Sequence, residues 1–469
     1  QLARAQALED SGRLLAAARE RIFTAAYLSG QAATNNNEHI WQLVNQLPSN
    51  QYHVQNEPDL AGWLELAQIT KRTGALSQKQ AEISAWMLNH PTHPAAINLP
   101  SDLQKLKALE VKPIHRIALL LPSQDNNQNV VNALRNGFLS AYYAAQNNGS
   151  QAPELFFYDS SNLSNIEQLY AELQAKKIDM LIGPWEKELI ARLAAQPQLP
   201  IPTLALNYVE SESVPEQLFQ FGLAAEDEAR LVAEQAWADG KRNAIILVQP
   251  GDWGFRIQNA FTKEWEKQGG RVAASQSIGQ PTELAQQIGT LLQLRESESR
   301  HSKLQSLLGT NVHFQPSRRA DVDVIFLASS PQQARQVQPT LRFQYAGDLP
   351  IYATSSVNPS IHSGIRNQDL DGILLAEMPW LLVEDDSLRE QIIQQWPEAQ
   401  GVMGRCYAMG ADAYQLALQL QQLKVLANNS SSGYTGEMQL NSSQQVQRTP
   451  YWAKIVNGNA VLVLEDEQP

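Results

Sequence analysis

The sequence predicts an α + α/β protein, in which a helical front precedes a two-lobed α/β body. Over residues 1–110, apolar side chains recur at helical spacing and no strand pattern interrupts them. After Lys112-Pro113, short continuous apolar runs alternate with amphipathic stretches, as in chains that build parallel sheets. This alternation is long enough for two sheets. We therefore assign a helical domain to residues 1–111 and an α/β domain to residues 112–469.

The helical front contains two pairs of amphipathic segments. The first pair spans residues 2–29, with Gly12 at the turn, and a further helix is predicted at 38–47. The second pair joins residues 59–73 to residues 77–90. Each pair has a short connection, which is typical of two antiparallel helices that pack against each other. The front is therefore predicted to consist of helical hairpins.

The second hairpin carries a recognisable set of residues. Asp59 is the predicted N-cap, and Gly74 stands where a helix of this kind ends. Trp63 in the first helix, Ala81 in the second and Pro91 after it resemble a tetratricopeptide-type repeat. An irregular helical bundle is the alternative. Because repeats of this type need about three copies for stability, we expect further repeats upstream of the sequence.

The α/β body opens with a strand that is predicted to be buried on both faces. Residues 115–121 read His-Arg-Ile-Ala-Leu-Leu-Leu, a continuous apolar run of the kind found in parallel sheets. An amphipathic helix at 130–146 follows, and the pattern repeats, which predicts a doubly wound sheet. Further strands are predicted at 155–158, 179–182 and 203–206, with helices at 164–176 and 186–196.

A second series of the same kind begins after residue 224. It predicts a second doubly wound sheet and hence a second lobe. Its predicted strands are 244–248, 271–275, 324–328 and 351–353, and its predicted helices are 226–239, 254–268, 282–294 and 331–343.

Composition excludes several classes of protein. The chain carries 36 Lys+Arg and 48 Asp+Glu, a net charge of −12, and has no block of basic residues, so we expect no nucleic-acid partner. No apolar run approaches the roughly 20 residues that span a bilayer. Cys406 is the single cysteine, which excludes an internal disulfide and any multi-cysteine metal site.

Motifs for catalysis or for cofactors are missing from the sequence. We find no Gly-x-Ser-x-Gly, no His-Glu-x-x-His, no Walker loop and no Gly-x-Gly-x-x-Gly. His90 and His93 are each followed closely by proline and lack an acidic neighbour, so a helix-ending loop is favoured over a metal site. Cys406 lies in a predicted apolar helix at 402–423 and is expected to be a buried small side chain. The chain is therefore predicted to be neither an enzyme nor a cofactor-binding protein.

The order of elements after residue 114 resembles the type I periplasmic-binding-protein fold. In that family the strand opening the second lobe ends in an acidic-aromatic-glycine turn, and here Asp252-Trp253-Gly254 stands at that place. The stretch 221–229, the Gly269-Gly270 turn and the closing segment 434–459 also match, so the resemblance covers about 114–465. It implies an N-lobe of about 114–223 and 357–427, and a C-lobe of about 224–356 and 428–469.

A helical-repeat front joined to this fold resembles the LpoA-type penicillin-binding protein activators. Residues 307–309, 318–326 and 350–356 carry the resemblance locally. It implies a periplasmic lipoprotein tethered to the outer membrane through an N-terminal lipid, with the lipidated cysteine upstream of this chain. It also implies a regulator of peptidoglycan synthesis that binds a class A (bifunctional) penicillin-binding protein and stimulates its transpeptidase activity.

The loops at the carboxyl ends of the strands are candidates for a ligand-binding cleft. The helix after the third strand begins Trp185-Glu186-Lys187-Glu188, and its two carboxylates would repel an anionic ligand. A solute receptor for a small polar molecule, closing by a hinge near 223, 356 and 427, is the alternative function; a cleft without a ligand is the other possibility. The candidate cleft residues are Ser123, Gln124, Asp159, Trp185, Tyr208, Asp252, Trp253 and Ser329.

The segment 295–319 is longer than the short loop that this fold requires. It is also the most basic stretch of an acidic chain, and we predict that it is part of a protein-docking face; a solvated loop is the alternative. Asp321 and Asp323, which follow it, are expected to flank the arginines and not to form a catalytic pair. The candidate docking residues are Arg295, Arg300, Lys303, Arg318 and Arg319.

Overall fold

The chain divides into two compact units. The first comprises Gln1–Leu223 and Val383–Thr449, and the second comprises Ala224–Leu382 and Pro450–Pro469. The structure, a computed structural model, describes residues 1–48, 57–72, 74, 76–110, 112–147, 152–209, 211, 213–310, 313–360, 367–425 and 430–463.

The first unit begins with consecutive helices, as predicted. They pack around the fully buried indoles of Trp41 and Trp63. Two details differ from prediction. Pro58 is the first residue of its helix, so Asp59 lies in the first turn and is not the N-cap. The third helix begins at Gly30 and not at residue 38, because the packing of its later residues stabilises helix in the polar stretch before them. The helices are Leu2–Asp10, Leu14–Ala25, Gly30–Gln46, Pro58–Lys71, Leu76–Asn89, Pro94–Ile97 and Ser101–Ala108.

Strands are numbered in chain order through both units. The first five are β1 (Arg116–Leu121), β2 (Glu154–Asp159), β3 (Met180–Ile182), β4 (Thr203–Ala205) and β5 (Leu218–Gln220). The next five are β6 (Asn243–Val248), β7 (Arg271–Ser277), β8 (Val324–Ala328), β9 (Ile351–Ala353) and β10 (Leu374–Glu377). The last five are β11 (Ser431–Gly433), β12 (Gly436–Leu440), β13 (Val446–Thr449), β14 (Tyr451–Val456) and β15 (Asn459–Leu462).

The two α/β sheets have the same strand order. In the first unit the order is β2-β1-β3-β4-β5, and every neighbouring pair is parallel. In the second unit β7-β6-β8-β9-β10 repeats it, and β14 and β15 then add an antiparallel edge beside β10. Both are doubly wound sheets of the kind whose ligand sites lie beyond the carboxyl ends of the strands. The predicted fold class is therefore confirmed.

Helices cover the sheets in each unit. In the first unit they are Gln128–Asn147, Ile166–Ala175, Lys187–Ala194, Ser387–Gln395 and Gly404–Val425, with a 3₁₀ turn at Pro397–Gln400. In the second unit they are Ala225–Ala238, Asp252–Lys267, Pro281–Leu291, Leu294–Leu308, Pro331–Phe343 and Pro379–Leu382, with 3₁₀ turns at Ser355–Val357 and Gln368–Leu370.

Two long helices of the first unit approach each other at glycines. A Cβ atom added at Gly137 would lie 2.0 Å from the carbonyl oxygen of Tyr407, and one added at Gly410 would lie 2.1 Å from that of Leu134. The backbones of Gln128–Asn147 and Gly404–Val425 are therefore in direct contact. This close crossing is possible only because neither glycine carries a side chain.

The chain passes from one unit to the other three times, and two of these exchanges lie away from their predicted positions. The exchange expected near 356 occurs after Leu382, because β10 pairs in parallel with β9 and completes the sheet of the second unit. The exchange expected near 427, which lies outside the described residues, occurs after Thr449, because β11–β13 form a separate antiparallel sheet that belongs to the first unit.

Candidate functional site

In the first unit, the loops that follow β1 and β2 are joined by one carboxylate. Asp159 ends β2 directly opposite the last residue of β1, so its side chain reaches the loop after β1. Asp159 Oδ1 accepts hydrogen bonds from the backbone N–H of Ser123 at 2.8 Å and from the hydroxyl of Ser161 at 2.7 Å. Asp159 Oδ2 accepts from the Ser123 hydroxyl at 2.5 Å.

These donors change the chemistry of Asp159. Hydrogen bonds from Ser123 and Ser161 hold the pKa of the Asp159 carboxyl well below its usual range, so it stays ionised. The N–H of Gln124 donates to the Ser161 hydroxyl at 3.0 Å and extends the same network. Because the lone pairs of Asp159 are largely used within the protein, the carboxylate braces two loops and is poorly suited to general-base chemistry.

A shallow depression adjoins this network. Its volume is about 320 Å³, and leucine and aromatic side chains of β1 and β2 form much of its wall, with Arg135 and Asp159 as its charged groups. The Arg135 guanidinium donates to the carbonyl oxygen of Pro122 at 3.2 Å, so it too supports the loop after β1. The lining residues are Leu119, Leu121, Ser123, Arg135, Phe157, Tyr158 and Asp159.

The helix after β3 has a carboxylate beside its N-terminus. Glu186 Oε2 accepts from the backbone N–H of Trp185 at 3.2 Å, and Glu186 Oε1 accepts from the hydroxyl of Ser160 at 2.5 Å. The helix Lys187–Ala194 follows at once. An anionic ligand group at this helix end would therefore lie next to a negative charge that the protein already supplies.

Tyr208 ties the end of β4 to the small antiparallel sheet. Its hydroxyl donates to the carbonyl oxygen of Val446 at 2.6 Å, and its backbone N–H donates to Asn207 Oδ1 at 3.0 Å. A Cβ atom added at Gly222 would lie 2.9 Å from the Tyr208 ring. Tyr208 therefore packs within the first unit, and its polar atom is used there.

The second unit holds the other three candidate cleft residues. Asp252 is exposed at the first position of its helix, and Trp253 is half-buried against the core around Phe261. Ser329 follows β8 and is fully buried, and its hydroxyl donates to the carbonyl oxygen of Ser330 at 3.3 Å. Since β6 and β8 are neighbours, the loops that carry these residues leave the same edge of one sheet.

Residues 295–308 of the basic segment lie in a helix, whereas the sequence led us to compare the whole segment 295–319 with a loop. Helix Leu294–Leu308 carries Arg295, Arg300 and Lys303, and all three side chains are exposed. A helix forms because Glu, Arg, Lys and Leu dominate the stretch, whereas the expectation of a loop considered only the length of the segment relative to the fold. Arg300 and Lys303 remain candidates for docking, whereas Arg295, five residues before Arg300, lies on a different side of the helix.

Arg318 and Arg319 have different surroundings from the three helical cations. Arg318 Nη2 lies 2.6 Å from Asp348 Oδ2, and Arg319 binds Asp321 through two hydrogen bonds of 2.7 and 2.8 Å. The side chains of Arg318 and Arg319 are only 19% and 10% exposed. The Arg319 guanidinium lowers the pKa of Asp321 to about 2. This pair of arginines is therefore built into local ion pairs.

Two buried lysines, which were not predicted, connect the helical front to the rest of the first unit. Lys71 Nζ donates to the carbonyl oxygen of Leu47 at 2.6 Å and lies 3.3 Å from Glu437 Oε2 in β12. Lys79 Nζ donates to the carbonyl oxygen of Thr70 at 2.8 Å and to Gln419 Oε1 at 3.4 Å. Burial lowers the pKa of Lys71 and lowers that of Lys79 to about 8.

A buried carboxyl lies in the same part of the first unit. Asp412 accepts hydrogen bonds from the backbone N–H groups of Tyr434 and Thr435 and from the Thr435 hydroxyl, at 2.6–2.8 Å. Burial raises its pKa to about 6, against the opposing effect of these donors. The Arg448 guanidinium donates to the carbonyl oxygens of Thr435 and of Gly222, the latter next to the first exchange between the units. One polar core thus reaches from the helical front to that exchange.

The histidines and the cysteine have structural surroundings. His93 accepts from the N–H of Ala95 at 3.2 Å and bonds the carbonyl oxygen of Asp59 at 3.0 Å, while its ring packs edge-on against Trp63. Burial raises the pKa of the Cys406 thiol to about 11, which makes it a poor nucleophile. Within the described ranges, we find no group of three or more His, Cys, Asp or Glu residues that could hold a metal ion.

Among the helices of the described ranges, none is both long and apolar enough to cross a bilayer.

Comparison with known proteins gives matches over nearly the whole chain. Residues 1–458 match the model of a family described as "LppC putative lipoprotein". The penicillin-binding protein activator LpoA of Vibrio antiquarius (strain Ex25) is 30% identical over 467 residues, which cover 97% of this chain and 76% of that protein.

Solved structures share the fold. Full-length LpoA from Haemophilus influenzae is similar with a TM-score of 0.61 and 23% identity, over 98% of this chain and 80% of that one. A "putative branched-chain amino acid ABC transporter" from Chromobacterium violaceum ATCC 12472 is similar with a TM-score of 0.54 and 24% identity, over 72% and 99% respectively. Together with the family match over residues 1–458, these findings establish that the chain belongs to the LppC family of lipoproteins, in which the LpoA-type proteins are its relatives.

Proposed function

We propose that this protein is a periplasmic lipoprotein, held at the outer membrane by an N-terminal lipid, that binds a class A penicillin-binding protein and stimulates its transpeptidase activity. One observation carries the proposal. A relative named as a penicillin-binding protein activator is 30% identical over 97% of this chain, so the similarity includes both the helical front and the α/β body. The role is regulatory: this chain contacts a synthase and changes the synthase's rate of cross-linking.

The chemistry of the described residues supports a regulator over a hydrolase or transferase. The Asp159 carboxylate is held by Ser123 and Ser161, which lower its pKa, and burial raises the pKa of the Cys406 thiol. A general base needs a pKa near neutrality and a free lone pair, and a thiol nucleophile needs a lowered pKa. Neither group meets its requirement, so both side chains act within the fold.

A reconstituted cross-linking assay tests the proposal. The full chain is titrated into a class A penicillin-binding protein from the same organism with lipid-linked disaccharide-peptide as substrate, and the cross-linked fraction of the product is measured. We expect the cross-linked fraction to rise and to saturate at the concentration that saturates binding. Absence of both binding and stimulation at micromolar concentrations would refute the function.

The same material distinguishes a regulator from a solute receptor. The Glu186 carboxylate at the helix after β3 disfavours anionic ligands, but it leaves other polar molecules open to test. Amino acids, amides, sugars and muropeptides are screened by thermal shift, since a ligand that binds the native state raises the unfolding temperature. We expect no shift with any of them. A saturable shift without stimulation of the synthase would favour the receptor.

A further inference from the structure

Helix Leu294–Leu308 is covered along its first half and uncovered along its second. Leu294 is buried in the first turn. Leu308 in the last turn and Leu304 one turn before it lie on the same side of the helix as Leu294. The side chain of Leu308 is 61% exposed and that of Leu304 is 53% exposed. Leu307, beside them, is 82% exposed. Soluble proteins rarely leave adjacent large apolar side chains in water unless the patch binds something.

Two cations border these leucines. Arg300 precedes Leu304 by four residues, and Lys303 precedes Leu307 by four, so each cation lies one turn before a leucine on the same side of the helix. Before Arg300, the two carboxylates of Glu296 and Glu298 outnumber the single cation Arg295, so the net positive charge lies from Arg300 onward. We call Arg300, Lys303, Leu304, Leu307 and Leu308 the docking stripe.

The chain that returns from this helix holds its first half in place. The ring of His301 stacks on that of Phe314 with 4.2 Å between ring centroids. The N–H of Ser317 donates to the hydroxyl of Ser297 at 3.1 Å, and Ser297 is buried. The helix is thus fixed from one side while the docking stripe faces outward. A surface held in this way loses little conformational entropy when a partner covers it.

We propose that the docking stripe binds an apolar groove, rimmed by carboxylates, on the penicillin-binding protein; this inference rests on the proposed function. The apolar centre and the two cations specify the chemistry of the occupant. An amphipathic helix laid in a groove contributes leucines at intervals of three and four residues, as Leu304, Leu307 and Leu308 do. Arg300 and Lys303 then meet acidic groups at the rim, which favour the correct orientation and increase the rate of association.

Two other occupants fit the charges less well. The chain as a whole carries a net charge of −12, which opposes adsorption to an anionic lipid surface. A second copy of this chain would pair through a twofold axis and bring two stripes of the same charge together. A groove on a different protein contacts only the stripe, so its acidic rim meets Arg300 and Lys303 and not the net charge of the whole chain.

Two double variants of the full chain test the docking stripe. Leu304→Ser/Leu307→Ser removes apolar contact, and Arg300→Glu/Lys303→Glu reverses the charge. The Kd for an immobilised class A penicillin-binding protein is measured at several salt concentrations for each. We expect at least a tenfold weaker Kd for both variants, and a weaker salt dependence for the second. Because the substituted side chains are exposed, the circular dichroism spectrum and unfolding temperature should match those of the wild type.

Matched controls use residues outside the stripe. Arg295→Glu reverses a charge on a different side of the same helix, and Leu88→Ser replaces a leucine that is 81% exposed in the helical front. We expect both variants to bind within twofold of the wild type. Equal weakening by Arg295→Glu would indicate a general charge effect and would overturn the docking stripe.

Other outcomes separate this inference from the proposed function. If the wild type binds and stimulates the synthase, and both double variants do so equally, the docking stripe is wrong and the function stands. If the wild type neither binds nor stimulates, both fail. If the variants lose only adsorption to phosphatidylglycerol-phosphatidylethanolamine vesicles, or only self-association in sedimentation velocity, the occupant is lipid or a second copy and the inference is overturned.

Discussion

The ammonium group of Lys71 lies 3.3 Å from the carboxylate of Glu437, and both side chains are buried. Lys71 ends a helix of the helical front, and Glu437 belongs to β12 of the small antiparallel sheet. The helical front and the α/β part of the first unit therefore share an interior. An ion pair out of water is held only when its geometry is good, so it fixes how these two parts meet.

Replacement of Lys71 by methionine is expected to destabilise the first unit by about 3–5 kcal/mol, because the Glu437 carboxylate loses its counter-charge while it remains buried. Urea denaturation followed by tryptophan fluorescence measures the loss. Lys71→Met/Glu437→Leu should recover part of it. The exposed pair Lys176–Glu172 serves as the control, and Lys176→Met should leave the urea midpoint nearly unchanged because water already screens the pair. A similar cost for Lys71→Met and Lys176→Met would contradict the prediction.

Asp412 should make stability depend on pH between about 4 and 6. Burial raises its folded pKa from 3.8 to about 6, so the folded state binds a proton in this window that the unfolded state has released. The contribution of the carboxyl is therefore complete at low pH, falls as pH rises through the window, and is constant above it. The urea midpoint of the wild type minus that of Asp412→Asn should shrink from pH 4 to pH 6. A difference that grows with pH would be the opposite of this expectation.

Alanine at either crossing glycine should destabilise the first unit. Gly137→Ala and Gly410→Ala each place a methyl group about 2 Å from a backbone carbonyl oxygen of the facing helix, which must move away at a cost of about 1–3 kcal/mol. Thermal unfolding measures the change. At Gly401 an added Cβ would have its nearest contact at 3.6 Å, so Gly401→Ala is a matched control that should change stability by about 0.5 kcal/mol or less. Equal effects at all three positions would exclude the close crossing as the cause.

Arg319 should contribute to stability and not to docking. Its guanidinium binds Asp321 through two hydrogen bonds and is nearly buried, so Arg319→Ala should cost the second unit about 1 kcal/mol. The Kd for the penicillin-binding protein should not change. Unfolding temperature and binding are measured on the same preparation, with Arg295→Ala as the exposed control that should leave the temperature unchanged. A loss of binding without a loss of stability would return Arg319 to the docking face.

Sequence reasoning succeeded where one local pattern dominates. The run that became β1 is apolar throughout, and only a strand buried on both faces accommodates it. Sequence reasoning failed for β10, because a run of four residues is too short to be distinguished from a loop. This segment is a strand because β9 and β14 pair with it. The helix Leu294–Leu308 was missed because the segment was judged by its length relative to the fold and not by its helix propensity.

In the candidate site, too, some contacts could be predicted from the sequence and others could not. Ser123 and Asp159 could be placed near each other because the carboxyl ends of neighbouring parallel strands share one edge. The Lys71–Glu437 pair joins distant parts of the chain, and no local rule connects them. One signal was available: Lys71 falls four residues after Ala67 on a buried side of its helix, where a lysine requires a buried partner.

The half-buried thiol of Cys406 makes the wild-type chain suitable for site-specific labelling. Maleimides react with the thiolate, and burial raises the pKa of this thiol to about 11, so its thiolate fraction at neutral pH is far smaller than that of an exposed cysteine. A cysteine introduced at an exposed position such as Lys263 would carry nearly all of the probe. Fluorescence or spin-label measurements of the two units can therefore begin from the natural sequence, without a cysteine-free variant.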